Sequence, residues 1–134
     1  MSLTIFQLAG SAMHAQSTRL NTVASNLANA ESVAGSPEEV YRQRDPVFQA
    51  APVGNDPAIQ GVRVTGVAES SAEPVKRYEP GHPLADPDGY VYAPNMDAVA
   101  QMVNMISAAR SYQANVEMLN TAKELAIATI NIGR

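Results

Sequence analysis

The longest regular pattern of apolar residues occupies the C-terminal part of the chain, from Asn95 to Gly133. No proline or glycine interrupts it before Gly133, so it predicts a single helix of about 36 residues, or about 54 Å. Asn95 is expected to cap the first turn and Gly133 to end the helix. Val99, Val103 and Ile106 widen its apolar surface, which indicates more than one packing partner. The residues at alternating spacings of three and four predict a coiled-coil seam with one polar member: Met102, Met105, Ala109, Tyr112, Val116, Leu119, Lys123, Ala126 and Ile130.

A second helical pattern runs from residue 3 to about residue 28 and predicts the partner of this helix. Residues 1–30 carry one charged side chain, Arg19, against fifteen in residues 31–94 and six in residues 95–134. A solvated helix normally carries charges on its outer face, so this neutral surface favours a packing element in a crowded assembly. A plain two-helix hairpin with a neutral outer face is the alternative. The residues that repeat at spacings of three and four are apolar with one exception: Phe6, Ala9, Met13, Gln16, Leu20, Val23, Leu27 and Ala30.

Between the two helices the sequence predicts turns, short strands and one mobile loop. Residues 50–60 contain two prolines and a glycine, so they are expected to form the loop. Residues 61–68 alternate and predict a strand with a bulge at Thr65-Gly66. This strand is expected to form a β-hairpin with residues 75–78, and residues 90–92 predict a further short strand before the long helix.

The predicted fold is mainly α, with N- and C-terminal helices in an antiparallel coiled coil and a small β-hairpin-containing excursion between them. The helical assembly domain would comprise residues 1–30 plus 95–134, and the extended, β-rich excursion would comprise residues 31–94. A rigid elbow is expected to set the angle at which the excursion leaves the helices, with its glycine free to adopt positive φ. The elbow consists of Pro80, Gly81, His82 and Pro83.

Composition excludes several classes of protein. A formal net charge of −4, a pI near 5.0 and the lack of a Lys/Arg cluster argue against nucleic-acid binding. The chain has no cysteine, so neither disulfides nor cysteine-based zinc sites are expected. The N-terminus lacks the basic region and long apolar core of a secretory signal peptide, and no run of apolar residues is long enough for a membrane span.

Catalytic chemistry finds little support in the sequence. His14 and His82 have no cysteine or paired acid placed to join them, and a histidine in a turn is more often structural. Asp86 and Asp88 are spaced like the first ligands of a calcium loop, but Val91 stands where that loop needs glycine. We therefore expect no enzyme activity, no catalytic residue, no metal or cofactor site and no small-molecule substrate.

Several motifs resemble those of bacterial flagellar axial proteins, the family of rod and hook proteins. Residues 25–29, Ser-Asn-Leu-Ala-Asn, are similar to the asparagine-rich signature that closes the first helix in that family. The sequence departs from the family pattern at two places. Gln101 replaces the usual glutamate before Met102, and residues 32–35 match the usual continuation of the signature only loosely. Further motifs are similar to those of the proximal rod members: residues 41–42, 47–48, 78–83, 85–86, 89–91, 94–95, 102–106, 110–116, 120–121 and 123.

The resemblance implies a structural subunit of the proximal rod of the flagellar basal body, part of the drive shaft that transmits torque from rotor to hook. It implies periplasmic assembly after export by the flagellar type III apparatus without a cleaved signal peptide. The implied partners are further copies in a helical tube, other rod proteins, the protein at the junction of rotor and export gate, and the export apparatus. The expected assembly interface comprises Phe6, Met13, Leu20, Val23, Asn26, Leu27, Asn29, Met102, Met105, Ile106, Tyr112, Gln113, Asn115, Val116, Leu119 and Ile130.

Two other classes remain open at this point. A free-standing coiled-coil adaptor or export-related binding protein would keep charged positions beside its seam, and the near absence of charge in residues 1–30 disfavours it. A periplasmic enzyme or ligand-binding domain would need a pocket, and residues 31–94 show no clustered titratable groups to line one.

Overall fold

The computed structural model describes the backbone of residues 2–133 and the side chains of residues 4–133. Met1 and Arg134, which the predicted helical domain included, lie outside the described residues. The regular elements, in chain order, are α1 (Ser2–Asn29), a short 3-10 turn (Pro37–Glu39), β1 (Arg44–Val53), β2 (Asp56–Glu69), β3 (Val75–Tyr78), β4 (Tyr90–Ala93) and α2 (Ala98–Ile132).

The prediction of a mainly α fold is wrong, because strands account for about a quarter of the chain beside helices that account for about half. The strands form two separate two-stranded antiparallel sheets, β1-β2 and β3-β4. The protein is therefore a mixed α and β structure, and one hairpin does not describe its middle part.

The two helices pack side by side and run in opposite directions. Near the end of α1, the Asn26 amide donates a hydrogen bond to Gln101 Oε1 over 3.1 Å, and Arg19 donates to the Asn104 side chain. Near its beginning, Leu8 lines a groove shared with Asn115 of α2. Asp97 caps α2, since its carboxylate accepts from the Val99 amide over 2.9 Å. The sequence-based choice of cap, Asn95, donates instead to the carbonyl of Glu73.

The β1-β2 ribbon lies along α1, so this helix packs between α2 and the ribbon. The region predicted to be a mobile loop, residues 50–60, is a tight hairpin. Its two-residue turn, Gly54-Asn55, lies between the paired residues Val53 and Asp56. Gly54 has φ 72°, which glycine adopts without strain. The predicted bulge is present. Val47 pairs with Gly66 and Phe48 with Val64, so Thr65 has no partner residue in β1.

The second sheet corrects the predicted strand pairing. β3 pairs with β4 from Val75 opposite Ala93 to Tyr78 opposite Tyr90, and not with the strand over residues 61–68. Ala34 pairs with Tyr92 of β4 through two backbone hydrogen bonds and so adds one residue to this sheet next to β4.

The Asp86 carboxylate holds the turn between these strands. It accepts hydrogen bonds from the amide of Tyr90 over 2.8 Å, the amide of Asp88 over 3.0 Å and the hydroxyl of Tyr92 over 3.1 Å. The hydrogen bond from the Tyr90 amide, aided by those from Tyr92 and Asp88, lowers the pKa of the Asp86 carboxyl below its ordinary value of 3.8. Asp86 therefore serves the turn.

Replacing Asp86 by asparagine is expected to weaken the dependence of the free energy of unfolding on pH in the acid range. A carboxyl with a lowered pKa stabilises the fold fully above about pH 4, and this stabilisation is lost as the pH falls through the folded-state pKa. Urea unfolding measured from about pH 7 to about pH 2 should show a weaker pH dependence in Asp86→Asn than in the parent. Asp88→Asn, at an exposed position of the same turn, is the matched control. Equal acid slopes in Asp86→Asn and the parent would refute the role of this carboxylate.

Positive φ in this region belongs to Gly89, at 85°, and not to the elbow glycine Gly81. A Cβ atom on Gly89 would lie 2.9 Å from Tyr78 Cε2 and 3.1 Å from Pro80 Cβ, whereas one on Gly81 would meet nothing within 4 Å. Glycine is therefore required at position 89, immediately before β4 and next to Pro80 of the elbow.

Gly89→Ala is expected to lower the free energy of unfolding by about 1 to 3 kcal/mol, through backbone strain and the clash with Tyr78. Gly81→Ala should change it by less than about 0.5 kcal/mol, because the position is open and its φ is ordinary. Chemical denaturation of the two variants checks this contrast, and the reverse order would contradict it.

Candidate assembly interface

Asn26 is the centre of a buried polar network that joins both helices to the first strand. Its side chain is fully buried, and its amide nitrogen donates to the carbonyl of Arg44 over 2.8 Å as well as to Gln101 Oε1. Its oxygen accepts from the Arg44 amide and from the Tyr41 hydroxyl, each over 2.9 Å. The Tyr41 hydroxyl also lies 3.1 Å from the Ser25 hydroxyl. Four hydrogen bonds thus fix α1, α2 and β1 at one point.

Two of the predicted interface residues lie inside the single chain. Val23 and Asn26 have no exposed surface, so any effect they have on an interface passes through the packing of this subunit. Nine further predicted interface residues are half-buried: Met13, Leu20, Leu27, Asn29, Met105, Tyr112, Asn115, Val116 and Leu119.

The helix contact differs in register from the predicted seam. On α2 the buried residues are Gln101 and Ala108, one position before the seam residues Met102 and Ala109. On α1 the fully buried apolar side chains are the small or medium ones of Ala9, Ala15 and Val23. Full burial on the two helices is therefore limited to small, medium-sized and polar side chains, and the larger aliphatic side chains are half-buried or exposed.

The first two turns of α2 carry a continuous exposed aliphatic surface, which we call the α2 flank: Val99, Met102, Val103 and Ile106. Their exposed fractions are 65%, 49%, 62% and 56%. Residues at spacings of three and four lie on one side of a helix, so these four side chains form one patch. An exposed aliphatic patch of this kind marks an interaction surface.

The other end of α2 also carries exposed aliphatic side chains, on two opposite sides of the helix: Leu125 and Ile132 on one, Ile127 and Ile130 on the other. α1 and α2 are antiparallel, and Leu8 lies level with Asn115 and Met118, so α1 begins opposite about residue 124. The last two turns of α2 extend past it and form the C-terminal overhang: Leu125, Ile127, Ile130 and Ile132. Ile130 is 64% exposed and Ile132 is 86% exposed.

The remaining predicted positions are also on the surface. Phe6 and Gln113 are exposed, as are Pro80, Gly81 and Pro83 of the elbow, while His82 is half-buried. His82 Nδ1 accepts a hydrogen bond from the Leu84 amide over 3.1 Å, and the His82 amide donates to the carbonyl of Glu79. These bonds shape a turn.

The polar partners of Asn26 were missed by reasoning from the sequence. In the sequence Gln101 stands out only as a departure from a family pattern, and Tyr41 only as part of a motif. One signal was available: Gln101 is an uncharged polar residue within the apolar stretch 98–106, and such a residue is buried only with a partner.

Within residues 2–133, no group of three or more His, Asp or Glu side chains is placed to hold a metal ion. None of the described helices is both long enough and apolar enough to cross a membrane.

Comparison with known proteins points to one family over nearly the whole chain. Residues 6–35 match the family model described as "Flagella basal body rod protein", and residues 88–132 match that described as "Flagellar basal body rod FlgEFG protein C-terminal". The chain is 54% identical over 134 residues to the flagellar basal-body rod protein FlgC of Salmonella typhimurium, covering 98% of both chains. It is 54% identical to FlgC of Escherichia coli O157:H7 and 51% identical to FlgC of Yersinia enterocolitica, again covering 98% of both chains.

Proposed function

The chain belongs to the FlgC family of flagellar basal-body rod proteins, and from this premise we propose that its two helices form the surface through which it assembles. The protein is a structural subunit of the rod in the bacterial flagellar basal body. Its family is one of structural proteins and not of enzymes, and it assembles with other rod components. This membership favours a structural rod subunit over the adaptor and ligand-binding alternatives.

The observation that carries the proposal is the exposed aliphatic surface of α2. Apolar side chains at these positions cost free energy in water, which is recovered when a neighbouring subunit covers them. The proposed assembly unit comprises residues 1–30 plus 95–134, and the predicted interface residues other than the buried Val23 and Asn26 are half-buried or exposed in it. Residues 31–94 are proposed to contact neighbouring subunits at an angle that the elbow, Pro80 to Pro83, helps to set.

Self-association in a helical tube within the periplasm is the proposed arrangement, with torque passing along the packed helices from rotor to hook. Contacts with other rod proteins and with the protein at the junction of rotor and export gate belong to the same proposal. They would use the outer surfaces of the helices and the strand regions.

Export in an unfolded state through the flagellar type III apparatus is also proposed. Support comes from the small core: the largest fully buried side chains are those of Val23, Val91 and Asn26. A chain that buries few large side chains unfolds at modest cost in free energy, which favours threading through a narrow channel.

The test compares two aliphatic-to-aspartate substitutions in cells that lack their own copy of the protein. Ile106→Asp alters the α2 flank, and Val67→Asp alters a similarly exposed aliphatic residue on the ribbon. A charge buried in an assembly contact costs several kcal/mol, so Ile106→Asp should be exported yet fail to complete the rod, and the cells should not swim. Val67→Asp cells should swim.

Swimming assays and electron microscopy of purified basal bodies give the outcome. Motile cells with Ile106→Asp and non-motile cells with Val67→Asp would place the assembly surface on the strands instead. Circular dichroism of both purified variants controls for folding.

A further inference from the structure

The outer edge of β3 is open in the single chain. The Glu79 amide donates to the carbonyl of Gly89 over 2.9 Å, so the backbone groups of Glu79 face β4. Because these groups alternate in direction along a strand, the N–H and C=O groups of Lys76 and Tyr78 face away from β4. Within residues 2–133, no hydrogen bond from another element reaches these outward groups. All four residues of β3 are exposed, and an exposed edge of this kind is a template for pairing with another chain.

A second copy carries the same edge, so the two β3 strands have the geometry to pair with each other. Such a contact is isologous, because the same surface is used on both copies. It would join the two small sheets into one sheet of four strands and close as a dimer. A closed dimer does not grow, so subunits paired in this way would be diverted from the assembled rod.

Charges and prolines obstruct every register of that pairing. The longest register pairs Lys76 with Tyr78 of the second copy at two places and sets Arg77 directly opposite the second Arg77. A register centred on Lys76 sets two lysines opposite each other, and one centred on Tyr78 sets Lys76 opposite Pro80, which has no N–H to donate. Like charges directly opposite each other destabilise a pair of strands. Pro74 at the other end of β3 also lacks an N–H, so the edge offers two outward N–H groups.

We propose that Lys76 and Arg77 keep the open edge of β3 from pairing with a second copy, so that subunits remain available for assembly. The two cations are held on opposite faces of the sheet. Lys76 Nζ lies 4.4 Å from the centre of the Tyr90 ring, and the Arg77 guanidinium donates to the Glu79 carboxylate. A strand of a second copy therefore meets a fixed cation on either face. This role belongs to a copy before assembly, and it does not depend on the helices forming the assembly surface.

Removal of the two cations tests this role in the purified protein. The double variant Lys76→Thr with Arg77→Val places β-branched residues at both positions. Its association constant for a dimer, measured by sedimentation equilibrium, should be about tenfold higher than that of the parent. The Tyr78 amide, which is open to exchange in the parent, should become protected from hydrogen exchange in the dimer. Arg77→Val alone should give most of the increase, because it frees the longest register.

The matched control is Lys76→Pro with Arg77→Val. It carries the same charge as the first double variant, but it lacks the outward N–H at position 76 and leaves the bonds between β3 and β4 intact. It should therefore associate no more than the parent does. Circular dichroism monitors folding, and Arg77→Val alone carries the test if the first double variant does not fold.

Two outcomes would overturn the proposal. If the Lys76→Thr double variant associates no more strongly than the parent, the cations do not guard the edge. If the two double variants associate equally, the copies meet through another surface, and the role of the β3 edge is refuted as well.

Discussion

Replacing Asn26 by alanine is expected to lower the free energy of unfolding by about 3 to 5 kcal/mol. The substitution leaves the amide and the carbonyl of Arg44, the Tyr41 hydroxyl and Gln101 Oε1 without their common partner. Each buried polar group that loses its hydrogen bond costs about 1 to 3 kcal/mol, and partial entry of water reduces the sum. Equilibrium urea denaturation, followed by circular dichroism, measures the loss.

Asn29→Ala is the matched control within the same signature. Asn29 is half-buried, and its amide donates to the carbonyl of Ser25 one turn earlier, so its loss should cost less than about 1 kcal/mol. Similar losses in the two variants would show that the network around Asn26 adds little to stability. Because that network joins three elements, Asn26→Ala should also speed hydrogen exchange in β1.

The two long helices were predictable because their pattern is local. An uninterrupted stretch before Gly133 and a period between three and four describe α2 closely, and α1 follows equally well from its own period. The cap was displaced by two residues, from Asn95 to Asp97, since both residue types cap helices well and only tertiary contacts distinguish them.

The ribbon was missed although a signal for it was present. Gly54-Asn55 is a typical two-residue hairpin turn, but Pro52 and Pro57 on either side made the segment resemble a loop. In a ribbon of two strands each strand has a free edge, and proline is tolerated there. This tolerance explains how a proline-rich segment forms β1 and β2.

The neutral surface of α1 has a partly internal explanation. Ser11 accepts a hydrogen bond from the Val62 amide over 3.3 Å, and Ser25 lies within hydrogen-bonding distance of Tyr41. These polar residues contact other parts of the same chain, whereas the sequence favoured contacts with neighbouring subunits. Their partners lie far away in the sequence, so periodicity could not reveal them.

The predicted seam was displaced by one residue at two positions, where Gln101 and Ala108 are buried instead of Met102 and Ala109, whereas Met105, Tyr112 and Leu119 of the seam are half-buried. Periodicity could not choose between Ala108 and Ala109, because both are small and apolar. Larger side chains nearby, such as Met102 and Ile106, remain on the surface. The apolar stripe of α2 therefore includes both residues of the internal contact and residues of the proposed contact between copies, and the sequence alone does not separate them.

Ala108→Glu is expected to separate the helices, with a loss of about 3 to 5 kcal/mol in the free energy of unfolding. Ala108 is fully buried on the face of α2 that also carries Gln101 and Asn104, both bonded to α1. A glutamate there must bury its charge without a partner or push α1 away. Such a loss is a large part of the stability of a typical domain. Thermal and urea unfolding of the purified variant measure it.

Ser107→Glu introduces the same residue one position earlier, at an exposed site, and should change the free energy of unfolding by less than about 0.5 kcal/mol. Ala108→Leu adds volume without charge and should cost about 1 to 3 kcal/mol, which separates the steric part from the electrostatic part. Comparable stabilities of Ala108→Glu and Ser107→Glu would mean that α1 does not pack on this face of α2. If the helix contact is also required for assembly, cells with Ala108→Glu should lack complete rods even at a temperature where the variant remains folded.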